Sequence, residues 1–215
     1  LAYRSIKKNK GSKTKGTNNS TIVQMGEKAP DELISYVRKR LQNFHPHAVR
    51  RVEIPKPDGR LRPLGIPTIE DRIIQQCIKQ VLEPICEAKF YKHSYGFRPN
   101  RSAHHAVARA MFLVNISKYR YVVDVDIKGF FDNVNHGKLL KQLWTLGIRD
   151  KQLLCVLSKM LKAPIQGEGV PTKGVPQGGI LSPLLANVVL NELDWWIASQ
   201  WEEFPLRQRY QSRPY

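Results

Sequence analysis

Acidic side chains are scarce in this 215-residue chain, where 18 Asp and Glu stand against 35 Lys and Arg, a formal charge of +17. Such an excess favours a polyanion, because each Lys or Arg that meets a phosphate releases condensed counterions. A merely soluble basic protein and one held to anionic lipid are the alternatives; nucleic acid is the preferred reading. Cysteine is nearly missing too. Cys77, Cys86 and Cys155 are odd in number, far apart and set among apolar residues. They form neither a disulfide framework nor a zinc pattern, which points to a reducing compartment. No apolar run approaches the ~20 residues of a membrane span, so no membrane is expected. There is no recognisable signal peptide, no internal repeat and no pair of adjacent Asp residues. With 41% hydrophobic and 25% charged residues, what remains is a globular chain able to bury one sizeable core or two small ones.

Residues 1–20 carry Arg4, Lys7, Lys8, Lys10, Lys13 and Lys15 with no acid among them. An organelle transit peptide would look similar, but the clustered Gly, Asn and Thr favour a basic arm whose loop clamps phosphates. Asp31 is placed to cap a helix reaching about Phe44, with Leu33, Ile34, Val37 and Leu41 on its apolar side. Residues 49–55 alternate like a strand, Lys56-Pro57-Asp58-Gly59-Arg60 has the chemistry of a turn, and residues 61–66 return. Together they make a β-hairpin with a basic tip, and Pro63 suggests an edge position. Thr68 and Asp71 resemble a capping box. They open a core helix that carries Ile69, Ile73, Ile74, Cys77, Ile78, Val81, Leu82 and Ile85.

Tyr95 and Phe97 then interleave with Arg98 and Arg101, before Ser102 opens a helix to about Leu113. Rings that stack and guanidinium groups that take phosphates suit single-stranded nucleic acid; aromatics that plug a core are an equal alternative. Residues 121–127 alternate, with Tyr121, Val123, Val125 and Ile127 on one strand face and Asp124 and Asp126 on the other. Two carboxylates on one face repel each other unless a divalent cation neutralises them; ion pairs with distant Arg or Lys are the alternative. Two helices are expected over 136–146 and 150–162, then a hairpin turning at Gly167-Glu168-Gly169. Gln177-Gly178-Gly179 reads as a flexible spot whose backbone can approach a ligand closely. Ser182 as N-cap with Pro183 at N1 opens a helix to about Trp201. The pairs His45/His47 and His104/His105 have no Cys or acid suitably spaced beside them, so surface or RNA-contacting histidines are the preferred reading.

Four segments in this order resemble the reverse transcriptases encoded by group II introns. They are Ile54 to Pro67, Tyr95-Gly-Phe-Arg-Pro-Asn-Arg-Ser102, Asp126-Ile-Lys-Gly-Phe-Phe-Asp-Asn133, and Gly174-Val-Pro-Gln-Gly-Gly-Ile-Leu-Ser-Pro183. Any one alone is weak; four in register over about residues 50–200 are specific. The resemblance implies an α+β right-hand polymerase fold of fingers and palm, mainly helical, with a basic β-hairpin, a partial antiparallel palm sheet and no thumb. On that expectation residues 1–30 are a basic N-terminal extension and 31–118 the fingers. Residues 119–162 are the first part of the palm with its metal motif, and 163–181 a fingers hairpin with the Gln-Gly motif. Residues 182–204 are a palm helix, and 205–215 a disordered end.

The same resemblance implies an RNA-directed DNA polymerase with maturase-type binding of group II intron RNA that assists splicing and mobility. An RNA template with a DNA primer and a deoxynucleoside triphosphate are the implied partners, and two Mg2+ ions the implied cofactor of an in-line phosphoryl transfer. Asp126 would ligate Mg2+ through its carboxylate and Ile127 through its carbonyl. Asp124 is not a ligand in the family motif. Lys56 and Arg62 would fold onto the triphosphate. Gly129, Phe130 and Phe131 would surround the deoxyribose, with Phe131 as the ring that excludes a 2′-hydroxyl. Gln177 and Gly178 would lie against the nascent base pair, while Asp132 and Asn133 read as turn or capping groups. RNA contacts are expected at Lys7, Lys8, Lys10, Lys13, Lys15, Arg98 and Arg101. The bacterial cytoplasm is the expected location, with an organelle as the alternative. The family's aromatic-x-Asp-Asp motif is absent. These 215 residues alone are therefore expected not to polymerise, and an RNA-binding splicing cofactor without polymerase activity is the alternative function.

Overall fold

A computed structural model describes residues 1–55, 57, 59 and 61–200. Lys56, Asp58, Arg60 and residues 201–215 lie outside the described residues, and with them the triphosphate contact expected at Lys56, the tip charges of the hairpin and the end expected at 205–215.

The fold is built around one helix, Ile69–Glu87. For reference in chain order the helices are α1 (Ala2–Lys7), α2 (Ile22–Gly26), α3 (Pro30–Gln42), α4 (Ile69–Glu87), α5 (Ala103–Asn115), α6 (Phe130–Asn133), α7 (His136–Thr145), α8 (Lys151–Leu161) and α9 (Ser182–Ala198). Apolar residues at helical spacing give α4 buried surface toward two cores. Toward one, Ile69 and Ile73 meet Ile6, Ile22 and Met25 of the N-terminal helices. Toward the other, Ile74, Ile78 and Leu82 join Phe44, Leu139, Leu143, Leu157, Leu184 and Val188. Val81 and Ile85, expected on the same apolar side, are exposed instead.

Thr68 caps α4 by accepting from the Asp71 N–H at 3.4 Å. Asp71 does not return that bond in a reciprocal box. Its carboxylate accepts from the Arg40 guanidinium at 2.6 Å and from the His47 N–H at 2.7 Å, so the first turn of α4 is tied to α3 and the loop after it. Helix α3 opens with Pro30 at its first position and keeps Asp31 inside the first turn, rather than as its cap.

The N-terminus is a folded unit rather than a loose arm. Helix α1, a 3-10 turn at Lys10–Lys13 and α2 dock on α4 through captured carbonyl groups. Buried Arg72 donates to Gly11 O at 2.9 Å and to Thr14 O, while Arg50 donates to Lys15 O at 2.8 Å. The Asn18 amide donates to the Glu70 carboxylate at 3.1 Å. Burial lowers the Arg72 pKa, opposed by the neighbouring charge of Glu70. Burial pushes Glu70 upward, but hydrogen bonds from its own N–H, Asn18 and Ser20, with the charge of His47, leave it below its ordinary value.

The hairpin forms as expected: β1 (Arg50–Pro55) pairs antiparallel with β2 (Leu61–Ile66), from Arg50 opposite Ile66 to Pro55 opposite Leu61. It is the only sheet among the described residues. The partial palm sheet expected at 121–127 is not formed. Tyr121 and Val123 are 94% and 85% exposed, and no residue of α5 beside them is buried. The physical reason is pairing: a strand with no neighbour leaves its N–H and C=O groups without ladder partners, whatever its side-chain alternation. The hairpin expected at 163–177 is reduced to a tight turn. Its single antiparallel bridge joins Ile165 to Gly169, and Ile165 also bridges Val49 in parallel.

Ser102 occupies the N-cap of α5 without a side-chain bond. Ser182 is the first residue of α9 rather than its cap, and its hydroxyl donates to Pro176 O at 2.6 Å. All three cysteines are free, and burial with the charges of Glu87 and Glu83 pushes the Cys86 thiol up to about 12. No described helix is long and apolar enough to cross a membrane.

Because the folded pKa of Glu70 lies below its ordinary value near 4.5, its contribution to docking is present above that value and lost as pH falls through the folded one. Amide exchange in residues 6–18 is expected to quicken on acidification below about pH 4.5. In Glu70→Gln the same segment should exchange with no such step, and an unchanged step would assign it to another carboxylate.

Candidate functional site

Three segments far apart in sequence meet around one cleft, and main-chain bonds hold them there. The Gly65 N–H of β2 donates to Gln177 O at 2.6 Å. Gly178 has φ +102° and lies so close that a Cβ would sit 2.6 Å from Gly65 O. Only glycine fits. On the other side, Val175 N–H donates to Phe131 O at 2.8 Å and Gly174 N–H to Val134 O at 2.7 Å. Buried His136 closes this seam, its Nε2 lying 2.7 Å from Gly174 O. The segment 174–178 thus stitches the hairpin to α6.

The cleft so formed has a volume of about 440 Å³ and is lined by Leu61, Arg62, Pro63, Asp126, Ile127, Gly129, Phe130, Phe131, Asp132 and Gln177. Gln177 bridges two of its lining residues. The Arg62 Nε donates to Gln177 Oε1 at 3.0 Å, and Gln177 Nε2 donates to the Asp132 carboxylate at 3.2 Å. A single amide, acting as acceptor and donor at once, links the strand cation to the helix carboxylate. Gly129, in the left-handed region at φ +60°, opens α6, and the Asn133 amide donates back to Gly129 O at 2.9 Å. That turn sets the Phe130 and Phe131 rings edge-to-face, with centroids 5.7 Å apart.

Of the residues singled out in the sequence, the structure brings together Arg62, Asp126, Ile127, Gly129, Phe130, Phe131 and Gln177. Gly178 is not among the residues lining the cleft, and a Cβ there would press on Gly65 O and Leu64. Asp126 lines the cleft from a segment without regular secondary structure, not from a strand. Asp132 was read only as a turn or capping group, yet it holds Gln177. The signal for it was a second carboxylate in the segment that carries Asp126, which spacing alone does not pair with an amide 45 residues on. The oxygen-only donors Asp126, Asp132 and Ile127 suit a hard cation such as Mg2+ rather than zinc. Among the described residues no group of three or more His, Cys, Asp or Glu could hold a metal by itself.

The expected RNA contacts divide. Lys7, Lys8, Lys13 and Lys15 are exposed, Lys7 with its ammonium 5.9 Å from the Tyr3 ring, and Lys10 opens the 3-10 turn. Arg101 donates to Lys92 O at 2.5 Å and lies 5.6 Å from the Tyr95 ring. Arg98 is not presented to phosphate. Its side chain is 4% exposed and pairs with Glu87 at 2.9 Å. It also donates to Tyr91 O and Ser94 O, and lies over Phe90. A buried guanidinium needs such partners, and here it has them. Nearby, burial raises the pKa of Asp194, opposed by a bond from Ser94 and the charge of Arg98.

A family model described as reverse transcriptase (RNA-dependent DNA polymerase) matches residues 54–210. Protein YkfC of Escherichia coli is 40% identical over 173 residues, covering 78% of this chain and 44% of that protein. Group II intron-encoded protein LtrA of Lactococcus lactis is 39% identical over 201 residues, 92% of this chain and 33% of LtrA. A putative COX1/OXI3 intron 2 protein of Saccharomyces cerevisiae is 33% identical over 207 residues, 94% of this chain and 24% of that protein. The chain thus spans less than half the length of these relatives.

Gly178→Ala is expected to lower stability by roughly 1–3 kcal/mol, since neither its φ nor the Gly65 carbonyl tolerates a Cβ. Denaturant unfolding measures it, and a neutral result would mean that the stitch is dispensable. Arg98→Met, which leaves half-buried Glu87 and the Tyr91 and Ser94 carbonyls without their donor, should cost about 1–3 kcal/mol in the absence of any RNA. Wild-type stability with weakened RNA binding would return Arg98 to the RNA contacts.

Proposed function

Because the chain belongs to the family of group II intron-encoded reverse transcriptases and maturases, we propose that the protein copies RNA into DNA and grips intron RNA through its basic surface. One observation supports this most: a single cleft gathers Arg62, Asp126, Phe131 and Gln177 from three segments of the sequence. Four side chains of such different chemistry serve no common packing purpose. Each has a use around a nucleoside triphosphate.

Held at Nε by Gln177, the Arg62 guanidinium keeps a fixed plane, and a planar fork is suited to phosphate oxygens. There it would neutralise the charge that builds on pyrophosphate as the bond to the α-phosphorus breaks. The Gln177 amide, fixed from both sides, offers a flat polar edge beside the nascent base pair. Gly129 and Phe130 bring backbone and ring against the sugar. The Phe131 ring would occupy the volume of a 2′-hydroxyl and so select deoxynucleotides. Asp126 and the Ile127 carbonyl are the oxygens that would hold Mg2+. Such an ion is commonly bound by one or two carboxylates together with waters and substrate phosphates. When bound, it supplies the Lewis acidity that activates the primer 3′-hydroxyl and clamps the triphosphate. The exposed Lys7, Lys8, Lys13 and Lys15 would take RNA phosphates.

A splicing cofactor without polymerase chemistry is the second reading, since the exposed lysines of the N-terminal unit can hold RNA phosphates without any metal chemistry. Asp126→Asn in the full-length protein separates the two. Primer extension on an RNA template should fall to background while RNA affinity, set by phosphate contacts, stays within about twofold. Equal loss of both would remove the metal role of Asp126. Undiminished extension would remove the polymerase reading of this cleft.

A further inference from the structure

Phe97 adopts φ +55°, the left-handed region that bulky side chains avoid. Both of its neighbours are pinned. The amide of Asn187, a buried residue of α9, donates to Gly96 O at 2.8 Å. Arg98 is locked by Glu87 and by the Tyr91 and Ser94 carbonyls. A residue between two such anchors cannot relax to an ordinary backbone conformation without breaking one of them. Strain of this kind persists only where the surroundings over-determine it.

Packing does not account for the cost. A ring forced into place to fill a core would be buried, and Phe97 is 69% exposed. What the strained backbone does is present that ring to Phe131, edge-on at 88° with centroids 6.5 Å apart. Phe131 is therefore in contact with two rings: Phe130 from its own helical turn and Phe97 from a distant segment. The χ2 well of a phenylalanine is broad, so a ring with no neighbours swings through a wide arc. Deoxyribose and ribose differ at the 2′ carbon by a single oxygen, and a blocking ring that swings discriminates poorly between them.

We propose that Phe97 is a positioning residue for sugar selection: its ring, held in a strained left-handed backbone by Asn187 and Arg98, braces Phe131 and fixes that ring's reach toward the 2′ position of the incoming nucleotide. The proposal rests on the reading of Phe131 as the group that excludes a 2′-hydroxyl. It adds a residue that touches no substrate and acts through another side chain.

Phe97→Gly tests it, because glycine accepts the left-handed backbone without strain while removing the ring. In the full-length protein, single-nucleotide incorporation on an RNA template is measured with deoxy- and ribonucleotides, and the ratio of their kcat/KM values is compared. That ratio is expected to fall roughly threefold to tenfold, the worth of one edge-to-face ring pair. Thermal stability should hold or rise, and Phe97→Tyr should keep the wild-type ratio. Phe131→Ala should lower the ratio further, and the double variant Phe97→Gly/Phe131→Ala should be no worse than Phe131→Ala alone. A Phe97→Gly protein that loses stability but keeps its ratio would make the ring structural and overturn the inference. Additive losses in the double variant would overturn it too. If Phe131→Ala leaves the ratio unchanged, the gate reading itself fails, and this inference with it.

Discussion

The arrangement of the cleft depends on a short run of main-chain hydrogen bonds. Gly65 to Gln177 on one side and Val175 to Phe131 on the other make residues 174–178 a splice between a β-hairpin and a helical turn. Backbone groups are obligatory bonding partners, so a segment whose N–H and C=O groups are satisfied on both flanks has little freedom left. Side chains carried on it inherit that rigidity. Gln177 holds Arg62 and Asp132 because its own Cα is already fixed, not because the three attract one another from solvent. Glycine at 178 is the condition for the approach, since a Cβ there would lie 2.6 Å from Gly65 O.

A chain with so many cations also uses some of them inside itself. Arg72 and Arg98 are buried, and each is surrounded by backbone carbonyl oxygens as well as by an acid. An arginine of this kind closes the exposed ends of turns that have no ladder partner of their own. The N-terminal turns are tied to α4 in this way, and so is the loop that carries Phe97. The charge total therefore overstates what is available to a polyanion. The exposed lysines of the N-terminal unit remain at its surface, while part of the arginine complement is committed to the fold.

How much of this was legible in the sequence depended on the range of the interaction. Helix α4 announced itself by apolar spacing, and the hairpin by Pro57, Gly59 and the alternation on either side; these are local signals. The burial of Arg98 was not legible because its position among aromatics is the same in a stacking surface and in a plugged turn, and the Glu87 that pairs with it lies in another element. Asp71 looked like half of a capping box, but its partners Arg40 and His47 come from another element. The strand at 121–127 failed for a related reason. Alternation shows that a segment could lie on a pleated surface; it does not supply the neighbouring strand. For the cleft, the motif segments located most of its lining, and what they could not show was Asp132 as the partner of Gln177.

The two walls of the cleft consequently differ in how they are set. Arg62, Gln177 and the Phe130–Phe131 turn stand on a backbone already bonded on both sides, whereas Asp126 sits at the end of a segment with no ladder among the described residues. A guanidinium tolerates some spread in how it meets a phosphate, but metal–oxygen distances hold to within about 0.2 Å. The wall that would recognise phosphate and sugar is thus fixed by this chain's own bonds. The wall that we propose for the metal is lined by Asp126, whose own segment has no ladder among the described residues. The recognition and metal binding that we propose for this cleft would therefore fall on different kinds of local structure.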